Sequence, residues 1–165
     1  MSKCIINVGM TGSGKTTVAK KILSQIKIPI FIFDVNREYS EFNNRNTNFI
    51  NFNNFVAMAN TLNKSCIVYE EATIFFSHSG CTENIKSQLV RKRHTGNLII
   101  FNFHSMRQVP LFLLDFCDLL ILGKTNDTGR LIMDKFKYNE NIINAFEELK
   151  AENNNYAKRY ITTIN

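Results

Sequence analysis

A short glycine-rich segment near the amino terminus constrains this chain more than any other feature. Residues 9–16 read Gly-Met-Thr-Gly-Ser-Gly-Lys-Thr, which fits the pattern G-x-x-x-x-G-K-[ST] at every fixed position. An apolar run, residues 4–8, precedes the segment, and Val18, Ile22 and Ile26 follow it at helical spacing. Glycines let the backbone wrap until successive N–H groups converge on a phosphate, and the dipole of the next helix adds partial positive charge. The segment therefore predicts a phosphate-binding loop between a strand and a helix.

The loop also supplies the predicted nucleotide-binding residues, which are Gly9, Thr11, Gly12, Ser13, Gly14, Lys15, Thr16 and Thr17. In such a loop Lys15 can reach the β- and γ-phosphate oxygens, and the Thr16 hydroxyl can bind Mg²⁺. The alternative is a glycine-rich turn without a ligand, which the placement between a strand and a helix disfavours. ATP with Mg²⁺ is therefore the predicted ligand.

A second motif is an apolar run that ends in two carboxylates, at residues 65–71 (Ser-Cys-Ile-Val-Tyr-Glu-Glu). It has the shape of a Walker B motif, and a parallel sheet brings its end beside the phosphate loop. We expect Glu70 to hold Mg²⁺ through water and Glu71 to orient and polarise the attacking water. The alternative is a strand that ends in a solvated acidic turn. A second carboxylate at this place favours hydrolysis of ATP by water over transfer to an acceptor.

Short apolar runs alternate with helical patterns along the chain. Predicted strands cover residues 4–8, 30–33, 66–69, 98–103 and 119–122, with a weaker one at 49–52, and later helices cover 54–62, 82–93 and 139–151. Near-continuous apolar strands are typical of a parallel sheet covered on both faces. The pattern predicts an α/β fold, a three-layer sandwich with a mainly parallel central sheet. We expect one domain over residues 1–165, in which 139–165 is a C-terminal helix and tail; residues 156–160 are an interface arm or merely part of the tail.

Composition and charge exclude several classes of protein. Hydrophobic residues make up 44% and charged residues 21%, ordinary values for a globular domain. The longest apolar stretch, residues 109–122, contains Asp115 and Asp118 and is shorter than the ~20 residues that a bilayer span needs. The start of the chain lacks the pattern of a signal peptide, and four cysteines without paired spacing predict reduced thiols. We therefore expect no membrane span and a location in the cytoplasm, of a cell or of an infected host.

With these motifs placed, four segments resemble the FtsK–HerA branch of additional-strand P-loop ATPases, which includes viral genome-packaging ATPases. Residues 33–39 (Phe-Asp-Val-Asn-Arg-Glu-Tyr) are similar to the segment after its first helix. Residues 68–72 (Val-Tyr-Glu-Glu-Ala) are similar to its Walker B motif, and 93–100 to its basic helix end and sensor strand. Gln108-Val109-Pro110 resembles the post-sensor segment, and the likeness covers roughly residues 3–123. It implies a RecA-like sheet in which the sensor strand lies between the Walker A and Walker B strands.

The resemblance also implies a polar sensor residue, usually Gln, at the end of that strand. This sequence has Asn102, His104 and Ser105 there, and we expect His104 to be the sensor, with Asn102 as the second choice. A His at a strand end is also common as a half-buried, hydrogen-bonded residue. Asp34 and Glu38 have a similar alternative, since they could simply cap the next loop or helix.

Members of this branch work as rings, usually hexamers or pentamers, in which a cation from the neighbouring subunit stabilises charge on the γ-phosphoryl group. Such an arginine is worth roughly 10³–10⁵ in rate. Arg93 and Arg91 are the first candidates and Arg107 the third, although a solvated basic helix end explains the first two equally well. The implied partners are a second copy of the chain, DNA, and capsid or portal-vertex proteins. A net charge of +6 suits a phosphate-rich polymer.

The leading hypothesis is an ATP-hydrolysing motor that moves double-stranded DNA and packages a viral genome into a capsid. A small nucleoside or nucleotide kinase is the alternative, although no Arg-rich lid is evident in the sequence. A non-motor assembly factor similar to the zonula-occludens-toxin-like phage proteins is a third. Zinc at His78, Cys81 and His94 is a weak hypothesis, because the H-x-x-C spacing lacks a second ligand pair. The predicted catalytic residues are Glu71, Lys15, Arg93, Arg91 and His104.

Overall fold

The structure, a computed structural model, describes residues 2–45, 51–77 and 79–162. Its strands are β1 (Lys3–Val8), β2 (Ile30–Phe33), β3 (Cys66–Tyr69), β4 (Leu98–Phe103), β5 (Leu119–Gly123) and β6 (Lys158–Ile161). Its α-helices are α1 (Lys15–Ser24), α2 (Phe52–Ala59), α3 (Thr73–Phe76), α4 (Ser79–Thr95), α5 (Leu111–Leu114), α6 (Gly129–Lys135) and α7 (Glu140–Ala151). Two 3-10 helices, Ser40–Arg45 and Met106–Gln108, follow β2 and β4.

The six strands form one sheet in the order β2-β3-β4-β1-β5-β6. Neighbouring strands are parallel except for β5 and β6, which pair antiparallel. The register aligns Asn7 of β1 with Asn102 of β4. The order confirms both the predicted, mainly parallel sheet and the expected place of the sensor strand, because β4 lies between β1 and β3.

Helices cover both faces of this sheet, which makes the molecule a three-layer sandwich. Successive strand side chains point to opposite faces, so Cys4, Ile6 and Val8 of β1 pack into one core and Ile5 packs into the other. Helices α2, α4 and α7 pack into the first core, whereas α1 packs into the second through residues that include Leu23. Apolar burial at roughly 25 cal/mol per Å² is the main term that stabilises this arrangement.

The carboxyl ends of the parallel strands meet at one edge of the sheet. The phosphate loop follows β1, Asp34 follows β2, Glu70 follows β3 and His104 follows β4. These segments lie far apart in the sequence, and the parallel pairing of the strands is what brings them together. Ligands of open α/β sheets bind at this edge.

The five main predicted strands are confirmed, with ends that agree to within one residue. The weaker predicted strand at 49–52 is not confirmed: residues 49 and 50 lie outside the described ranges, and Phe52 is the first residue of α2. A cap explains the difference, because Oδ1 of Asn51 accepts hydrogen bonds from the backbone N–H groups of Asn53 and Asn54. Such a cap satisfies free N–H groups at the start of a helix.

The carboxyl-terminal region is more ordered than a helix and a tail. The predicted helix is observed as α7, but Lys158–Ile161 forms the edge strand β6 against β5. Helix α6 was not predicted either; it begins at Gly129, after the N-cap residue Thr128, whose Oγ1 accepts from the backbone N–H of Leu131 at 3.4 Å. A four-residue edge strand carries little periodic signal of its own, so its partner strand has to define it.

Two expectations about the whole chain can be compared with the described residues. Within the ranges 2–45, 51–77 and 79–162, no helix combines the length and the apolar character needed to cross a membrane. All four cysteines are free thiols. Burial raises the pKa of Cys117 to about 11, so this thiol stays protonated, and therefore unreactive, at neutral pH.

Candidate active site

The phosphate loop has the backbone conformation that its glycines permit. Gly12 and Gly14 have φ angles of 77° and 84°, a left-handed conformation that costs glycine little. The backbone N–H of Met10 donates to the carbonyl of Lys124 at 2.7 Å, which ties the loop to the end of β5. Helix α1 then begins at Lys15, so its free N–H groups and its positive dipole end face the space above the loop.

Six of the eight predicted nucleotide-binding residues line one cavity of about 550 Å³: Thr11, Gly12, Gly14, Lys15, Thr16 and Thr17. Gly9 and Ser13 do not line it. A Cβ atom at position 9 would overlap Oγ of Ser13, and Ser13 is fully buried, so these two residues shape the loop from behind. The rest of the lining comes from Asn36, Glu38, Glu70, Glu71, His104 and Tyr156.

Glu70 is a buried carboxylate, only 4% exposed. The Tyr39 hydroxyl donates to its Oε2 at 2.6 Å, and Nδ2 of Asn102 donates to the same oxygen. Asn102 also accepts from Nδ2 of Asn7 at 2.8 Å, so a chain of amides joins β1, β4 and the carboxylate. Burial raises the pKa of Glu70, although these two hydrogen bonds oppose the rise. Since both bonds end on Oε2, Oε1 is the oxygen available to a metal-bound water.

His104 joins the two residues predicted to act on the γ-phosphate. Its Nε2 lies 2.8 and 2.7 Å from Oε1 and Oε2 of Glu71, and its Nδ1 lies 3.3 Å from Nζ of Lys15. An ammonium group can only donate, so Nδ1 accepts, and the ring proton lies on Nε2 and is donated to Glu71. Glu71 has a φ of 53°, a strained conformation that is concentrated at functional sites. His104, the favoured sensor candidate, therefore lies inside the site and contacts both Glu71 and Lys15.

The charges of the cavity fit a divalent cation. The lining holds three carboxylates, Glu38, Glu70 and Glu71, against the ammonium group of Lys15. Oγ1 of Thr16 donates to Oε2 of Glu38 at 3.2 Å, so the predicted metal residues Thr16 and Glu70 lie in one cavity with a further carboxylate. Mg²⁺ is bound by one or two carboxylates together with waters and substrate phosphates rather than by an all-protein cage. Burial lowers the pKa of Lys15, and the nearby carboxylates oppose this effect.

The segment after β2 supports the site in a way that the sequence only partly indicated. The Asp34 carboxylate accepts from the backbone N–H groups of Glu38 at 3.0 Å and Tyr39 at 2.9 Å, so the capping alternative describes Asp34. The cap directs the Glu38 carboxylate to Thr16 and the Tyr39 hydroxyl to Glu70. The sequence predicts no role for Tyr39, and the Glu-Tyr pair of residues 38–39 is the one signal for it.

A second unpredicted contribution comes from the carboxyl-terminal segment. Nζ of Lys158 donates to the carbonyl of Ser13 at 2.6 Å, which ties the start of β6 to the phosphate loop. The ring of Tyr156 lies against Gly14, with Cδ1 3.4 Å from the position of a Cβ at residue 14. Because residues 156 and 158 lie more than 140 positions after the loop, nothing in the local sequence pairs them with it.

The arginine candidates divide between the two edges of the sheet. Arg91 and Arg93 are exposed near the end of α4, at the amino edge, about 20 Å from the carboxyl edge for a six-residue strand. Arg107 is exposed in the turn after β4, at the carboxyl edge. Arg91 and Arg93 could therefore act only on a neighbouring subunit's site. Lys92, between them, is buried and pairs with Asp118 at 2.5 Å, so the basic run is not uniformly solvated.

The described residues provide no support for the hypothesis of a zinc site. His78 lies outside them, and Sγ of Cys81 donates to Oδ1 of Asn53 at 3.3 Å. Within the described part of the chain, no group of three or more His, Cys, Asp or Glu side chains is arranged to hold a metal ion. His94 is an exposed residue near the end of α4.

Comparison with known proteins reveals relatives of this fold. Solved structures of the genome packaging NTPase B204 from Sulfolobus turreted icosahedral virus 2 are similar to it. The complex with AMPPCP is 17% identical, with a TM-score of 0.71 over 96% of each chain. The complex with AMP is 19% identical, with a TM-score of 0.72 over 98% of this chain and 92% of the other. The complex with ATP-gammaS is 19% identical, with a TM-score of 0.71 over 99% and 98%.

At these identities the solved structures establish the fold, that of a P-loop NTPase. A search of curated proteins finds no significant match. The sequence itself matches the family model described as "Helicase HerA, central domain" over residues 6–162, nearly the whole chain. The match includes the phosphate loop, both carboxylates of residues 70–71 and the strand β4 with His104 directly after it. The chain therefore belongs to the family of the helicase HerA central domain, within the FtsK–HerA superfamily of P-loop ATPases.

Proposed function

We propose that this P-loop ATPase moves double-stranded DNA as a homo-oligomeric ring, a hexamer or a pentamer, and packages a viral genome into a capsid. The observation that carries the proposal is the His104 ring between Glu71 and Lys15, on a strand inserted between the Walker A and Walker B strands. Such a link suits an enzyme that hydrolyses ATP and passes the change at the γ-phosphate to the rest of the domain. We propose that residues 1–165 act in it as one domain.

In this proposal five residues of the cavity have a defined task. The Glu71 carboxylate accepts a proton from the attacking water and orients it, while the donated His104 N–H holds that carboxylate in place. Lys15 binds the β- and γ-phosphate oxygens, and Thr16 with Glu70 holds Mg²⁺, Glu70 through water. Bound Mg²⁺ would supply charge neutralisation for the phosphate oxygens. Asn102 and Tyr39 fix the Glu70 carboxylate for this task.

The proposed ring is supported by the composition of the described cavity lining. Lys15 is the cation among the described lining residues, whereas charge on a transferring phosphoryl group is commonly stabilised by an added arginine. Arg93 and Arg91 are exposed at the opposite edge of the sheet, and this exposure supports contact with the site of a neighbour. We propose that one of them acts there in trans.

The proposed DNA contact is electrostatic. The chain has 20 Lys and Arg against 14 Asp and Glu, a net charge of +6, and loops that line a ring channel would contact phosphates without reading bases. Its expected protein partners are capsid or portal-vertex proteins, and its expected location is the host cytoplasm or the virion. B204 from Sulfolobus turreted icosahedral virus 2, similar in fold, is described as a genome packaging NTPase, and B204 from Sulfolobus turreted icosahedral virus is described as a DNA-packaging ATPase.

The test compares phosphate release by the purified chain at increasing protein concentration, with and without linear double-stranded DNA. We expect the rate per subunit to rise with oligomerisation and again with DNA, and the ATP-fuelled ring to displace streptavidin from a biotinylated DNA end. Lys15→Ala is the control that should abolish both. Full-rate hydrolysis by a dilute monomer without response to DNA contradicts the motor. Phosphate transfer to a nucleoside would support the kinase alternative. No observation of the described site points to that alternative.

A further inference from the structure

A large aromatic side chain stands exposed on the rim of the nucleotide cavity. Tyr156 is 70% exposed and lines the same cavity as Lys15, Thr16 and Thr17. Its ring lies against Gly14, with Cδ1 3.4 Å from the position of a Cβ at residue 14, an ordinary van der Waals distance. The ring therefore lies directly beside the start of α1.

The short turn that carries Tyr156 is fixed at both ends. Nζ of Lys158 donates to the Ser13 carbonyl at 2.6 Å, on the phosphate loop itself. At the other end, Nζ of Lys124 donates to the carbonyl of Glu152. Within the turn, Oδ1 of Asn154 accepts from the backbone N–H of Tyr156 at 2.8 Å. The ring therefore has a defined place relative to the loop, and a prearranged aromatic surface loses little entropy when a ligand covers it.

The cavity has two chemically different ends. Asn36 and Glu38 follow β2, Glu70 and Glu71 follow β3, and His104 follows β4, all on one side of the phosphate loop in the sheet order. Tyr156 precedes β6, on the other side. Among the described lining residues, the charged and amide side chains thus lie at the metal and γ-phosphate end. The Tyr156 end is bordered by the phosphate loop, where the ring lies against Gly14.

We propose that Tyr156 is the stacking surface for the nucleobase, and that the site binds the base by its face without reading its edge. The inference deepens the proposed function, because it takes the phosphates to lie on the loop as proposed there. A nucleotide bound with its phosphates at Lys15 would extend from the charged end of the cavity toward Tyr156, so that its base reaches the tyrosine ring. Every base presents a π face, so stacking tolerates different bases, and ATP and GTP should bind with similar affinity.

The test measures equilibrium binding of three probes in the presence of Mg²⁺: ATP, GTP and inorganic tripolyphosphate, which has no base. We expect Tyr156→Ala to weaken ATP and GTP binding by about tenfold each, within the range known for base–aromatic stacking. Tripolyphosphate affinity should stay unchanged. Tyr156→Phe keeps the ring and should bind all three probes within about twofold of the wild type.

The matched control is Tyr138→Ala, which removes another exposed tyrosine, one that does not line the cavity. It should leave all three affinities unchanged. The inference is overturned if Tyr156→Ala binds ATP like the wild type, if it loses tripolyphosphate binding equally, or if the wild type prefers one purine more than tenfold. The two proposals fail separately: a wild type that shows the stated binding pattern but no response to DNA overturns the motor and supports the role of Tyr156.

Discussion

Nε2 of His104 lies 2.7 Å from Oε2 of Glu71, and the other nitrogen of the same ring lies 3.3 Å from Nζ of Lys15. One imidazole thus connects the carboxylate proposed to activate water with the lysine proposed to bind phosphate. The connection exists because β4 lies between β1 and β3, so a residue at its end has the two motifs on either side.

The first prediction concerns this ring. We expect His104→Ala to lower kcat for ATP hydrolysis about 10- to 100-fold and to change KM less than threefold, because Glu71 loses the N–H that orients it. His104→Gln, whose amide can donate to Glu71, should recover part of the loss. His94→Ala, at an exposed position of α4, is the control and should behave like the wild type. A raised KM at unchanged kcat would mean that the ring serves binding instead.

The second prediction separates chemistry from binding at Glu71. Glu71→Gln keeps the size of the side chain but removes the base, so we expect kcat to fall 10²- to 10⁴-fold while ATP affinity stays within a few-fold. Steady-state phosphate release and equilibrium ATP binding are the two measurements. Glu147→Gln makes the same chemical change at an exposed position of α7 and should alter neither. Retained hydrolysis in Glu71→Gln is incompatible with the assigned role.

The third prediction is that Glu70 is needed for activity but does not stabilise the fold. Burial raises the pKa of this carboxyl, so its ionisation lowers the stability of the folded state increasingly as pH rises above the unfolded pKa. Glu70→Gln removes that charge but keeps an oxygen that can accept from Tyr39 and Asn102. We expect its Tm without Mg²⁺ to match or exceed that of the wild type at pH 8, by about 2–4 °C per kcal/mol. The gain should shrink toward pH 4, and Mg²⁺-dependent hydrolysis should be lost.

Thermal unfolding from pH 4 to pH 8 measures this balance. Glu83→Gln, in an exposed pair with Lys86, is the control that should leave Tm almost unchanged at every pH. If Glu70→Gln unfolds several degrees below the wild type at pH 8, the carboxylate stabilises the fold, and the argument from burial is wrong.

The fourth prediction identifies the arginine that acts in trans. Alanine at Arg91 or Arg93 should leave Tm within about 1 °C, because both are exposed, and one of the two should lower kcat of the ring about 10³-fold. Mixing that variant with Lys15→Ala should restore part of the hydrolysis, since a site with an intact Lys15 then lies next to a subunit that keeps the arginine. Arg130→Ala, at a 93% exposed side chain, is the control. If neither variant loses activity, Arg107 is the remaining candidate.

The fifth prediction concerns acid stability at the amino edge of the sheet. Burial pushes the pKa of Asp118 up, but hydrogen bonds from Lys92 Nζ and the Cys4 N–H outweigh it, so the pKa is lowered. A lowered carboxyl pKa contributes stability that is present above the unfolded pKa and lost as pH falls through the folded one. Asp118→Asn should therefore destabilise the fold at pH 7, and the difference should begin to shrink below about pH 4 and continue to shrink as pH falls through the lowered pKa.

We expect this loss to be about 1–2 kcal/mol, less than for a fully buried pair, because the Asp118 side chain is 39% exposed and solvent screens it. Urea unfolding at pH 7 and pH 3 provides the measurement. Asp134→Asn, in an exposed pair with Arg130 at 3.9 Å, should cost less than about 0.5 kcal/mol. An equal loss at both pH values would show that the ion pair is not its cause.

Much of the fold could be predicted because strong periodic signals are local. The strand at residues 4–8, the loop that follows and the helix after it specify one another within a short stretch of chain. The two carboxylates at residues 70–71 could likewise be predicted, because an apolar run with an acidic end is visible in the sequence itself. The wrong expectation, a strand at 49–52, failed in its described part because the Asn51 cap starts α2 there.

The sequence by itself determined which functional groups the chain has for catalysis: a phosphate loop, a lysine, two glutamates and a strand with a polar end. Only the tertiary structure decided which of these groups touch. It joined His104 to both Glu71 and Lys15, assigned Asn102 to Glu70, and brought Tyr156 to a glycine 142 positions earlier. The physical reason is that side-chain contacts across a parallel sheet depend on strand order and register, which are set by packing over the whole core.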